Sequence, residues 1–126
     1  MADAKITVKG REKLCKAHAG DIQLPKLKYI AYGDGGVDTQ DTPFAVTGEE
    51  TALRNELLRM EIDEHNYPKE TTCEYKSGLG KEDLANTYIS ELGIFDEEND
   101  LIVYKTFLKK GKDDDMLFDF LVQEIF

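Results

Sequence analysis

Two apolar runs, Thr87 to Phe95 and Leu101 to Leu108, stand either side of the short stretch Asp96 to Asp100. The runs are rich in Ile, Val, Tyr and Phe, which suit a pleated, half-buried surface. The Asp, Glu and Asn residues between them suit a turn. This pattern predicts a β-hairpin. A hairpin alone is marginal in water, so other strands or a helix must cover its apolar face. Any fold open to this chain is built outward from antiparallel sheet.

The remaining segments supply that cover. Thr7 to Ala19 predicts a helix: Thr7 can accept from the first unpaired backbone N–H groups, and Gly20 is placed to end it at positive φ. Val8, Leu14, Cys15 and Ala17 give a partial apolar stripe, which Gly10 weakens by about 1 kcal/mol relative to Ala. Leu27 to Tyr32 alternates as a strand and stops at Gly33-Asp34-Gly35-Gly36, a turn. Val37 to Val46 reads as a loop, and Thr47 to Asn55 as a short second helix with Glu49 and Glu50 near its N-terminal dipole. Leu57 to Asp63 and Thr71 to Lys76 read as strands, with an Asn66-Tyr67-Pro68 turn between them. Lys81 to Ala85 is a loop or a single helical turn. Lys109 to Asp115 is a charged turn, and Met116 to Phe126 a last alternating strand. The expected architecture is α+β, a single domain over residues 1–126. It is a mainly antiparallel sheet with an N-terminal helix and a short second helix packed on it.

Charge narrows the function classes. The chain carries 26 acidic and 16 basic residues, a net charge of -10. That sign opposes binding to phosphate backbones and to anionic membrane surfaces. Lys9, Arg11, Lys13 and Lys16 gather near the N-terminus and read as a solvated helix face. Cys15 and Cys73 form no CxxC pair; two reduced thiols are the simpler reading, with a disulfide left open. The opening Met-Ala-Asp-Ala-Lys has no apolar signal core, and no window approaches the ~20 apolar residues of a membrane span. The expectation is a protein made and assembled in a bacterial cytoplasm.

No constellation points to chemistry. His18 and His65 lie in unrelated contexts without a second histidine at a metal-binding offset. Tyr32-Gly33-Asp34-Gly35-Gly36 lacks both GxxxxGK[ST] and GxGxxG and leads into no helix, so it reads as a tight turn rather than a phosphate loop. Asp34, Asp38 and Asp41 offer oxygens to a hard cation, as do Asp113, Asp114 and Asp115. Neither set follows the alternating ligand series of a Ca²⁺ loop. No catalytic, cofactor-binding or metal-ligating residue is assigned.

Three stretches are specific in combination. They are Gly33-Asp34-Gly35 after the first long strand, Asn55-Glu56 entering the next, and Glu91-Leu92-Gly93-Ile94-Phe95-Asp96 before the turn to Leu101. Their order over roughly Ile6 to Ile125 resembles the N-terminal domain of the phage tail-collar fibre proteins of P2-like contractile-tailed phages. The resemblance implies a structural virion protein joining baseplate to fibre, with other tail, baseplate or fibre proteins as partners. A homo-oligomer, a trimer among the options, follows by the same analogy. Members of that family continue into a shaft and receptor-binding tip, so attachment rather than receptor recognition is expected of this chain. Within the motifs, Gly93 suggests a bulge or close backbone approach. Glu91, flanked by apolar residues, is expected to be buried and paired, with Arg54 or Arg59 as candidate partners. The alternatives are a small cytoplasmic binding module, Ca²⁺-dependent through Asp34, Asp38 or Asp41, and, further off, a hydrolase built on carboxylates.

Overall fold

The computed structural model describes residues 4–112 and 118–126. Nine elements follow in chain order: β1 (Lys5–Ile6), α1 (Val8–His18), β2 (Leu27–Gly33), β3 (Glu56–Glu61), β4 (Glu64–Lys69), β5 (Thr72–Leu79), β6 (Thr87–Asp96), β7 (Leu101–Lys112) and β8 (Phe118–Ile125). The strands form a five-stranded sheet, β1-β7-β6-β2-β3, and a three-stranded sheet, β4-β5-β8. Every pairing is antiparallel.

The hairpin predicted from the two apolar runs is the β6–β7 pair, running from Phe95↔Leu101 to Thr87↔Lys112. Its turn is held by Asp96, whose Oδ1 accepts from the backbone N–H groups of Glu98 and Asp100. Asn99 takes the left-handed conformation at φ 65° that such a turn needs. β6 is central in its sheet, so both of its edges are paired, and with packing on both faces Ile89 through Asp96 are all buried. Ile30, Ile89, Leu92, Ile94, Val103 and Phe107 face the smaller sheet and pack with its Leu79 and Val122. On the other side Ala31, Phe95, Leu101 and Tyr104 are roofed by Val46 and Leu53 from the long segment between β2 and β3.

α1 forms as its sequence predicts. Thr7 Oγ1 accepts from Gly10 N at 3.1 Å and donates to Leu101 O at 2.6 Å, so the cap also fastens the helix to β7. Gly20 has φ 82° beyond the C-terminal end. Gly10, a liability for helix propensity, is buried where a Cβ would stand 2.9 Å from Ile102 Cγ2. The absent side chain is what lets the helix lie close on the sheet.

Several expectations are corrected. Thr47 to Asn55 is not a helix but extended, irregular chain. The Glu50 carboxylate accepts from Thr47 N and Gly48 N, and Thr47 Oγ1 accepts from Glu49 N. Side chains binding their own backbone in this way compete with a helix, and Gly48 at φ 92° departs from helical geometry altogether. The Asn66-Tyr67-Pro68 turn is instead part of β4. Pro68 is tolerated because β4 is an edge strand and the register breaks between Asn66 and Lys69. Lys109 to Lys112 continue β7 rather than turning, while Asp113 to Asp115 lie outside the described residues. No helix among the described residues is long and apolar enough to cross a membrane.

Candidate functional site

β6 carries Glu91 at a position with no exposure to solvent. Its carboxylate gathers the three stretches singled out in the sequence. Oε2 accepts from Gly35 N and Asn55 N, both at 2.9 Å, and Oε1 from Arg54 N at 2.8 Å and the Tyr104 hydroxyl at 2.6 Å. Next to it Ser90 Oγ accepts from Gly36 N at 2.9 Å. Asn55 then closes the loop pair: its Nδ2 donates to Asp34 Oδ1 at 2.5 Å, and its carbonyl accepts from Asp34 N at 3.3 Å.

The glycines permit this convergence. A Cβ on Gly35 would stand 2.6 Å from Arg54 Cβ and 2.9 Å from Glu91 Oε2. One on Gly33 would meet the Asn55 carbonyl, and one on Gly36 the Ser90 carbonyl, inside contact distance. Backbone N–H groups from two segments, Gly35 of the glycine-rich turn and Arg54 and Asn55 before β3, thus converge on an anion that is the chain's own Glu91. Four hydrogen bonds to a charged acceptor, each about 1.5–3 kcal/mol, offset the several kcal/mol of removing a carboxylate from water. Burial, and then the adjacent Glu91 charge, push the Tyr104 hydroxyl pKa upward, so it stays a donor at neutral pH.

Glu91 is buried and paired, but the arginine side chains are not its partners. Arg54 contributes its backbone N–H and lays its guanidinium over the Phe44 ring at 3.8 Å. Arg59 lies over the Phe95 ring at 3.7 Å and forms a two-pronged ion pair with Glu56. Glu56 thus stands apart from the Glu91 cluster, although its neighbour Asn55 belongs to it. Leu92 and Ile94 enter the core between the sheets, and Phe95 the core under the loop. Gly93 is a close approach and not a bulge: a Cβ there would stand 2.6 Å from Leu101 Cδ1 and 2.7 Å from Leu53 Cδ1. The register shifts of β6 fall instead at Ile89/Glu91 and Ile94/Phe95.

A second charge cluster, with Lys13 and Asp96 buried, Asp100 half-buried and Glu98 exposed, closes the other end of β6. Lys13 Nζ lies 2.5 Å from Asp96 Oδ2, 2.9 Å from Glu98 Oε1 and 2.7 Å from Asp100 Oδ2. Lys13 is therefore not part of a solvated face, unlike Lys9, Arg11 and Lys16. Burial lowers its pKa, but hydrogen bonds to the three carboxylates outweigh that and raise it. Asp96, Glu98 and Asp100 are the only carboxylate trio among the described residues close enough to share a cation, and the Lys13 ammonium occupies their centre.

The other candidates are engaged elsewhere. Asp34 holds Asn55, Asp38 Oδ1 accepts from Gln40 N and Thr42 N, and Asp41 pairs with Lys109 at 3.2 Å. His18 is exposed in the last turn of α1; His65 is exposed on β4, its ring edge-on to Tyr67 at 5.8 Å. Cys15 is exposed, Cys73 buried, and both are free thiols. Lys13 and Tyr104 are the residues sequence reading missed. For Lys13 the signal was there, since it shares a helix face with Gly10, Leu14 and Ala17. Tyr104 carries no such mark inside its apolar run. No family model matches the chain, and no curated protein matches it.

Proposed function

We propose that the chain is a structural attachment module of a contractile phage-type tail or a tail-like particle, joining baseplate to fibre by protein–protein contact. One observation carries the reading. The three stretches behind the resemblance to tail-collar fibre domains, far apart in sequence, meet at the Glu91 carboxylate. The motif is thus accounted for as a fastening that fixes the loops on one end of the five-stranded sheet. Within it Asp34, Asn55 and Glu91 bond to one another or to the motif's backbone, while Glu56 and Asp96 pair with Arg59 and Lys13. Such a rigid end suits a domain that must hold its shape while neighbours dock.

On this reading the module is made and assembled in a bacterial cytoplasm, in several copies around the tail axis, a trimer among the options, and the acidic surface keeps free copies soluble. The test is immunogold electron microscopy of tail particles from the native host, with light scattering of the purified protein. Label at the distal tail supports the proposal. A monomer absent from every particle overturns it and puts a soluble binding module in its place.

A further inference from the structure

Residues of α1, β2 and β7 together with residues of β4, β5 and β8 line a cavity of about 310 Å³, inside the range of small-ligand sites. Leu14, Leu27, Ile102 and Phe126 give it apolar walls. Its polar lining includes Lys13, Lys26, His65, Asp96 and Glu124 of β8, the last only 9% exposed. The Tyr75 hydroxyl donates to Glu124 Oε1 across 3.3 Å, a long bond. No lysine, arginine or histidine among the described residues forms an ion pair with this carboxylate. The contrast with Glu91 is direct: among the described residues one buried carboxylate has four donors, the other a single stretched one. Buried charges are ordinarily paired, and Glu124 is among the residues that line this cavity. Burial, opposed only by the Tyr75 bond, pushes its pKa upward. The cationic side chains on the wall do not fill the need: Lys13 is bound by three carboxylates, Lys26 is exposed, and His65, exposed on β4, forms no ion pair with Glu124 among the described residues.

We propose that this cavity binds a ligand bearing one ammonium group on an apolar stem, the ammonium against Glu124 and Tyr75 and the stem between Leu14, Ile102 and Phe126. The lining also holds Tyr75 and Phe126, whose aromatic rings are of a type that attracts cations. The inference rests on the cavity and Glu124 and is independent of the tail reading. The same chemistry comes from a free amine or from a lysine side chain on a partner segment.

The test is a titration of the ¹⁵N-labelled full chain, followed by NMR, with hexylammonium, hexanol, hexanoate and a capped tripeptide with central lysine. Hexylammonium is expected to shift the Leu14, Tyr75 and Glu124 amides saturably, with a Kd on the order of millimolar for so small a ligand. Glu124→Gln is expected to weaken it roughly tenfold, and hexanol and hexanoate to bind no better than that variant. Leu14→Phe, which fills the cavity, is expected to abolish the shifts and serves if Glu124→Gln does not fold. Binding of the tripeptide at the same amides identifies a partner's lysine as the ligand; binding of the free amine alone identifies a small molecule. Hexanol binding as well as hexylammonium, or unchanged binding in the folded Glu124→Gln variant, overturns the proposal.

Discussion

Glu91 and Glu124 are the same residue type with opposite circumstances, and the difference lies in their donors. Glu91 has three backbone N–H groups and a tyrosine hydroxyl within 2.9 Å. Glu91→Gln keeps the shape but turns an NH₂ group toward donors and removes the charge. It is expected to destabilise the protein by about 3 kcal/mol in urea unfolding. Loss below about 0.5 kcal/mol would mean that the loops are held by packing alone. The sequence made Glu91's burial readable, because apolar residues flank it. It could not reveal the partners, since three of them are backbone groups that carry no residue identity.

At the level of elements, β8 is an edge strand that is also part of the core. It pairs with β5 from Thr72↔Ile125 to Leu79↔Phe118, and Val122 is buried between the sheets. The sequence left open whether this strand is central and already paired or is an edge free for assembly. Among the described residues it is paired on one side only, with β5. Removing residues 118–126 would strip β5 of its partner and leave β4–β5 as a lone hairpin, which is marginal in water. The truncated chain is expected to lose its cooperative thermal transition in circular dichroism. A folded truncation that only fails to assemble would make β8 an assembly strand instead. The elements legible in advance were those with a strong local signal, namely α1, β2 and the β6–β7 hairpin. β4 was misread because Pro68 marks a turn in most settings and is tolerated here by an edge position, which is a property of the sheet. The helix expected at Thr47 to Asn55 was lost to local side-chain bonds and to Leu53, which packs down over Gly93.

For the whole molecule, alkaline pH acts on several buried groups in one direction. Lys13 has a raised pKa in the fold, against 10.5 for the free side chain. Burial and neighbouring carboxylates raise the Tyr104 and Tyr75 hydroxyls above the ordinary 10.0, with Cys73 also acting on Tyr75. In each case the folded state holds its proton more tightly than the unfolded chain. These contributions to stability are complete below about pH 10 and are lost as the pH rises beyond it. The urea midpoint is expected to stay level from pH 8 to about 10 and then fall, with Tyr104 and Tyr75 ionising at 295 nm only as the chain unfolds. Ionisation of all six tyrosines ahead of unfolding would contradict the burial of these hydroxyls.

The sequence by itself determined that this is an antiparallel β protein with an N-terminal helix, because apolar periodicity, a capping threonine and turn residues act over a few neighbouring positions. It also marked the glycines and the acidic residues of β6 as special. Only the tertiary structure decided what those residues meet. Glu91 finds Gly35 and Asn55 from 56 and 36 positions away, and Lys13 finds Asp96 across 83. Contacts over such distances depend on how the sheets stack and how closely the backbone can approach. Those are set by the packing of the whole chain and leave no local trace in any one segment.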